Sequence, residues 1–233
     1  MPLASAAPAS WLESPAPQRL TPGPGAVTLT PVVLWLLLIN GVVFVAEQFY
    51  FGPLVVWFAL WPQGFLAALA PPDGAPHFQL WQLVTYGFLH GGILHLVLNM
   101  YALWLFGTRI EYLWGSKRFL TYYLLCVVGA ALAQLVVSEI SLAQGGEVYP
   151  VLGASGGVFG ILLAFGLTYP EARLMLLFPP IPIKAKWFVL IYGAIELAAG
   201  VTGTLEGVAH FAHLGGMLTG LFLFYRWRLG PWG

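Results

Sequence analysis

Residues 118–138 read RFLTYYLLCVVGAALAQLVVS, a stretch without a charged side chain after its first residue. A helix needs about 20 consecutive apolar residues to cross the hydrocarbon core of a bilayer, and this stretch is long enough. Five further apolar stretches follow the same pattern, at residues 31–49, 92–108, 151–169, 187–203 and 207–226. The sequence therefore predicts an all-α polytopic membrane protein with six transmembrane helices.

The composition of the 233 residues supports this class. Apolar residues make up 59% of the chain, charged residues only 8%, and the mean hydropathy is +0.83. A soluble domain carries about 25% charged residues, so a water-soluble globule is excluded. The formal net charge of zero leaves no basic surface for nucleic acid. A single cysteine, Cys126, excludes a disulfide framework and a multi-cysteine metal site.

Two regions flank or interrupt the predicted spans. Residues 1–27 are rich in Pro and Ala, and we predict a disordered cytoplasmic tail ahead of a membrane domain at residues 28–230. Residues 53–70 are apolar but are broken by Pro62-Gln63-Gly64. This segment is either a seventh span or, as we expect, a segment that lies in the membrane interface.

The distribution of Lys and Arg predicts the orientation. With six spans, all nine basic residues fall on one side: Arg19, Arg109, Lys117, Arg118, Arg173, Lys184, Lys186, Arg226 and Arg228. The opposite connections, at residues 50–91, 139–150 and 204–206, contain none. Because basic loops stay in the cytoplasm, both termini are predicted to be cytoplasmic. We expect the inner membrane of a bacterial cell.

Polar side chains inside apolar spans are costly and therefore indicate function. Ser155 lies in the fourth span, His95 in the second and His213 in the sixth. At 1.5 Å per residue, all three are expected about 5–10 Å below the outer ends of their helices. Asn99 lies one turn deeper than His95, on the same face.

The glycines indicate which helices approach each other. Gly156 and Gly160 lie beside Ser155, whereas Gly216 and Gly220 share a helix face with His213 but not with His210. We therefore expect His213, rather than His210, to contact the Ser155 hydroxyl.

These residue types predict nucleophilic catalysis. An imidazole that accepts the proton of a serine hydroxyl makes it a nucleophile, so Ser155 and His213 are the candidate pair. The side chains of His95 and Asn99 and the Ser155 amide can donate to a developing oxyanion. No carboxylate has a clear place beside His213. Glu206 lies about 10 Å along the helix and Glu196 has no assigned role, so the prediction is a Ser–His dyad without metal or cofactor.

Three motifs resemble those of the rhomboid family of intramembrane serine proteases. Gly153-Ala154-Ser155-Gly156 is similar to its GxSG motif, and Ala212-His213, continuing to Gly216 and Gly220, is similar to AHxxGxxxG. His90, His95 and Asn99 match HxxxxHxxxN. The resemblance covers about residues 78–228.

The resemblance implies a six-helix protease in the lipid bilayer. From the depth of Ser155 and the predicted orientation, we expect it to cleave single-pass transmembrane proteins near the extracytoplasmic face. The resemblance makes Ser155 the nucleophile, His213 the base, and His95, Asn99 and the Ser155 amide the oxyanion hole. Phe159 stands where a tyrosine often stacks on the catalytic imidazole. The supporting residues it implies are His90, Gly153, Gly156, Phe159, Gly216 and Gly220.

Other classes of protein fit the sequence less well. A catalytically silent rhomboid-like protein that binds transmembrane helices would be expected to lose Ser155 or His213. A channel or transporter would carry its polar groups near the bilayer centre. A zinc metalloprotease would need a motif such as HExxH, which the sequence lacks.

Overall fold

The computed structural model describes residues 29–62, 76–146, 149–176, 179–203 and 209–228. The predicted tail at residues 1–27 lies outside the described residues. Within the described part the chain is mostly helical, with the following α-helices: α1 Pro31–Phe58, α2 Gln82–Thr85, α3 Ile93–Ala102, α4 Thr108–Trp114, α5 Ser116–Ala143, α6 Ser155–Thr168, α7 Ala185–Thr202 and α8 His210–Arg228.

Each predicted apolar stretch contains a helix. A π-helical segment, Leu103–Gly107, joins α3 to α4, so that Ile93–Trp114 forms one continuous helix. This helix, α1, α5 and α7 are the four in the described residues that are long and apolar enough to cross a membrane. The count of six crossings and the cytoplasmic termini stay predictions.

Helix α1 continues past the predicted end of the first span. It bends at Tyr50, where φ is −133° and ψ is 34°, and then runs on to Phe58. Pro53 explains the bend, because a proline inside a helix lacks the N–H donor and its ring clashes with the carbonyl four residues earlier. The first residues of the segment predicted to lie in the interface thus belong to α1, and residues 63–70 lie outside the described part.

Helix α6 is the short central helix of the bundle. Every residue from Gly156 to Gly166 is buried, and the helix packs mainly against α5 and α8. Its 14 residues rise about 21 Å, which is less than the roughly 30 Å of a hydrocarbon core. Helix α6 is therefore too short for its two ends to reach both membrane surfaces at once.

The N-terminus of α1 is capped by a side chain from another helix. The Glu111 carboxylate in α4 accepts hydrogen bonds from the backbone N–H groups of Val32 and Val33, each at 2.9 Å. It also accepts from the hydroxyls of Thr30, at 2.5 Å, and Ser116, at 2.6 Å. The first amides of a helix have no partner within the helix, so Glu111 satisfies two of them and ties α1 to α4 and α5.

A small antiparallel hairpin joins α6 to α7. Strand β1, Arg173–Met175, pairs with β2, Pro182–Lys184, with Leu174 opposite Ile183. The exposed Glu171 forms an ion pair with Lys184 at 2.7 Å and a second with Lys186. Hydrogen bonds to these two ammonium groups lower the pKa of Glu171 to about 2.

Candidate active site

Ser155 is the first residue of α6. The chain approaches it in an extended segment, where Val151 and Leu60 exchange two backbone hydrogen bonds of 2.9 Å. Gly153 has a φ of 132°, which side-chain-bearing residues rarely adopt, and it turns the chain into the helix. The prediction that Ser155 lies 5–10 Å inside its helix is therefore wrong, because α6 begins at the serine itself.

The Ser155 hydroxyl contacts an imidazole from another helix. Ser155 Oγ lies 2.7 Å from Nε2 of His213, which is in the first turn of α8. The ring of Phe159, one turn beyond Ser155, stacks on the His213 ring with 4.3 Å between centroids and 6° between planes. The stacking holds the imidazole in one plane. In this position Nε2 can accept the proton of the hydroxyl.

Glycines allow α6 and α8 to approach closely enough for this contact. A Cβ on Gly216 would lie 1.9 Å from the carbonyl oxygen of Gly156. One turn further along, a Cβ on Gly220 would lie 3.3 Å from the Cα of Gly160 and 2.4 Å from the Tyr122 hydroxyl oxygen. No side chain fits between the two backbones here, so the distance between α6 and α8 depends on these glycines.

A carboxylate completes the contacts of His213. Oε2 of Glu196, in α7, lies 2.9 Å from Nδ1 of His213 and 2.7 Å from Nδ1 of His210. All three side chains are buried. The prediction of a dyad without a carboxylate is therefore wrong in its geometry. The signal was present in the sequence as an acidic residue inside an apolar span, but its partner on another helix could not be read from spacing.

The contact with Glu196 determines which nitrogen of His213 carries the hydrogen. An ionised carboxylate can only accept hydrogen bonds, so Nδ1 of His213 is the donor. Nε2 of the neutral ring is then the acceptor that faces Ser155. Nδ1 of His210 likewise donates to the same oxygen, and these contacts place possible metal-ligating atoms of all three residues within 4.8 Å of one another.

One of the two candidate oxyanion side chains, His95, lies at the start of α6. A Cβ on Gly153 would lie 2.7 Å from Cε1 and 2.8 Å from Nε2 of His95, so the His95 ring lies against the backbone just before Ser155. The Asn99 amide, which is buried, donates to the carbonyl of His95 at 2.9 Å. The structure therefore brings His95 to the serine, whereas one hydrogen of Asn99 is used within its own helix.

The ring of His90 packs against the ring of His95. The two rings meet edge to face, with centroids 5.1 Å apart. The backbone N–H of His90 donates to the buried Glu47 carboxylate of α1 at 3.0 Å. Within the described residues, neither ring nitrogen of His90 has a hydrogen-bonding partner. His90 thus contacts His95 but not Ser155 or His213.

A family model described as the Rhomboid domain matches residues 77–229. The chain belongs to the rhomboid family. The three motifs that resemble those of the family lie within the matched residues. The helix that begins with Ser155, α6, lies at the centre of the matched region.

Several curated rhomboid proteins are similar to this chain. Rhomboid protein 1, mitochondrial, of Saccharomyces cerevisiae is 33% identical over 147 residues, which cover 63% of this chain and 41% of the relative. The Presenilin-associated rhomboid-like protein A, mitochondrial, of Danio rerio is 33% identical over 161 residues, covering 69% and 41%. Rhomboid protease GluP of Bacillus subtilis is 35% identical over 142 residues, covering 61% and 25%. The chain thus spans less than half the length of these relatives.

The names of the mitochondrial relatives contradict the expected bacterial cell membrane. Relatives from yeast, zebrafish, Arabidopsis thaliana and rat are all named as mitochondrial. The expectation of a bacterial cell membrane is therefore wrong. Its basis was weak in physical terms, because hydropathy and the Lys/Arg distribution indicate spans and orientation but not which membrane contains them.

Proposed function

We propose that this rhomboid is an intramembrane serine endopeptidase in which Ser155 is the nucleophile and His213 the general base. The 2.7 Å contact between Ser155 Oγ and His213 Nε2 carries the proposal. It joins residues that are 58 positions apart in the chain and lie on two different helices. Ion pairing or simple helix packing does not require a hydroxyl at this position.

The chemical sequence follows from the positions of the atoms. Ser155 Oγ attacks the carbonyl carbon of the substrate while His213 Nε2 takes its proton. The imidazolium then gives the proton to the leaving amine, and a water molecule repeats the sequence to release the acyl group. The Glu196 carboxylate acts as a positioning residue, since it holds the Nδ1–H tautomer of His213 and offsets the positive charge that forms on the ring.

Backbone amides at the start of α6 can stabilise the negative charge that develops on the substrate oxygen. The first amides of a helix have no acceptor within the helix and lie at the positive end of its dipole. The Ser155 amide is such a group, and we assign it to the oxyanion hole with the side chains of His95 and Asn99. Asn99 Nδ2 carries two hydrogens, so it can donate to the oxyanion while it also bonds the His95 carbonyl.

The position of Ser155 favours a particular class of substrate. The serine follows the connection at residues 139–150, which has no Lys or Arg, and it is the half-buried first residue of a helix too short to span the core. A single-pass transmembrane protein whose helix unwinds near that side of the bilayer would present its backbone to Ser155. The names of the relatives favour a mitochondrial membrane as the place of this reaction.

A fluorophosphonate probe tests the proposal. We expect the purified full-length chain in detergent to be labelled, because the probe reacts with an activated serine. Ser155→Ala should abolish labelling and the cleavage of a transmembrane substrate. Ser141→Ala, which changes a serine near the end of α5, is the matched control and should be labelled like the wild type. Equal labelling of Ser155→Ala and wild type would overturn the assignment.

A further inference from the structure

The buried Glu196, His210 and His213 form a cluster that peptide hydrolysis does not use in full. Both histidines lie in the first turn of α8 and aim Nδ1 at the same oxygen of Glu196 in α7, at 2.7 and 2.9 Å. Their exposed fractions are 7% for Glu196, 6% for His210 and 9% for His213. His213 and Glu196 have places in the proposed reaction, whereas His210 has none.

The atoms of this cluster match the ligands that zinc prefers. Two imidazole nitrogens and one carboxylate oxygen, with a fourth position open, form a common tetrahedral Zn²⁺ site. Bond lengths of about 2.0–2.1 Å would place the ligand atoms about 3.3 Å apart in a tetrahedron. The two Nδ1–Oε2 separations, 2.7 and 2.9 Å, are shorter, so the carboxylate and the rings have to move apart to admit the ion.

We propose that Glu196, His210 and His213 bind Zn²⁺ reversibly and that the bound ion switches off Ser155. Only the inhibition of Ser155 rests on the proposed function, whereas the zinc binding does not. Zinc takes the lone pair of Nδ1 on His213, so the ring hydrogen has to be on Nε2. Nε2 then donates a hydrogen bond to Ser155 Oγ and can no longer accept its proton, which leaves the serine without a base.

The cluster lies near one end of α7 and α8. His210 is the first residue of α8, and Glu196 lies six residues before the end of α7 at Thr202, about 9 Å along the helix axis. The cluster is therefore at the end of the bundle where α6 begins with Ser155. Mg²⁺ prefers an octahedron of oxygen ligands and does not suit two imidazoles, so it should not replace zinc.

Zinc binding is tested on the full-length Ser155→Ala protein, which keeps all three ligands and has no serine to react. Isothermal titration with ZnCl₂ should show one site per chain, and the visible spectrum of added Co²⁺ should show tetrahedral coordination. His210→Gln and His210→Asn in this background should weaken binding by at least about tenfold. His77→Gln, which changes an exposed histidine outside the cluster, should bind like the parent. No binding by the parent, or unchanged binding by both His210 variants, overturns the zinc site.

The inhibition is tested on the chain with its serine, and each variant is compared with its own zinc-free rate. Zn²⁺ should suppress fluorophosphonate labelling of the wild type, EDTA should restore it, and Mg²⁺ should have no effect. His210→Gln should need at least about ten times more zinc for the same suppression. Equal sensitivity of wild type and His210→Gln overturns the proposal. Zinc binding by a chain that shows no labelling in the absence of metal would instead overturn the proposed function and keep the zinc site.

Discussion

Gly216 of α8 lies directly against the backbone of Gly156 in α6, so closely that a Cβ on Gly216 would lie 1.9 Å from the Gly156 carbonyl oxygen. Backbone atoms on both sides of this contact cannot move aside as a flexible side chain would. Because Ser155 precedes Gly156 and His213 is one turn before Gly216, this contact sets the distance between the hydroxyl and the imidazole.

We predict that Gly216→Ala separates α6 from α8, lowers stability by about 1–3 kcal/mol and reduces labelling of Ser155. The single cysteine, Cys126, is fully buried, so its reaction with a fluorogenic thiol dye during heating reports unfolding. Gly41→Ala is the matched control, because a Cβ at Gly41 of α1 meets nothing within 4 Å. A Gly216→Ala protein with the thermal midpoint and labelling rate of Gly41→Ala would refute the packing argument.

Replacing the two histidines of α8 should have unequal effects. His213→Ala should abolish cleavage to the level of Ser155→Ala, since the members of a catalytic unit are not additive. His210→Ala should keep a substantial fraction of the activity, because His210 contacts Glu196 and not Ser155 in the described structure. Initial rates on a transmembrane substrate measure both. The opposite ranking would assign the base to His210.

Glu196→Gln should lower kcat by on the order of 10²-fold or more and leave KM nearly unchanged. Glutamine keeps an oxygen that can accept from Nδ1, but it has no charge to offset the imidazolium. Glu196→Asp should recover part of the rate, because it restores the charge. Glu139→Gln, which removes another buried carboxylate, at the end of α5, serves as the control. If Glu196→Gln raised KM or only lowered the thermal midpoint, the role of Glu196 would be structural.

Asn99→Ala should reduce kcat more than it raises KM, because an oxyanion donor acts mainly in the transition state. The loss should stay below about 10²–10³-fold, since His95 and the Ser155 amide remain. Steady-state kinetics on a soluble fluorogenic ester and on a transmembrane substrate check this. Wild-type kinetics of Asn99→Ala would contradict the role of Asn99 as an oxyanion donor. Its bond to the His95 carbonyl would then be purely structural.

Cleavage should occur near the end of the substrate helix that lies opposite the Lys- and Arg-rich connections. A carbonyl within a wound helix is bonded to an amide four residues later, so the substrate has to unwind there, and nearby Gly or Pro should help. Because glycines crowd Ser155, we expect a small residue on the amino side of the cut. Replacing it by Phe should suppress cleavage. Mass spectrometry locates the cut, and a site near the other end of the helix would contradict the orientation.

Hydropathy was sufficient to locate the helices but not to define their ends. The apolar run at residues 151–169 looks like one span, yet Val151 pairs with Leu60 and α6 begins only at Ser155. The helix does not begin earlier because Val151 pairs through its backbone with Leu60, 91 positions away, and because Gly153 has a positive φ. Neither feature changes the hydropathy, so a window of apolar residues cannot detect them.

The candidate site was predictable only where residues share a motif. Ser155, His213 and His95 lie in recognisable short patterns, and the structure brings these three together. Glu196 belongs to no such pattern, and its contact with His213 depends on how α7 is rotated and shifted relative to α8. The rotation and shift of one helix relative to another are determined by packing. They cannot be predicted from the spacing of residues along the chain.

The cap on α1 has a consequence for the order in which the protein is assembled during synthesis. Helix α1 is the first membrane helix made among the described residues, but the carboxylate that satisfies its first amides, on Glu111, is 78 and 79 residues downstream of Val33 and Val32. A nascent chain that ends before Glu111 therefore holds an α1 whose first amides lack this cap. The N-terminal end of the helix made first is therefore fastened last, after α4 and the start of α5 have been made.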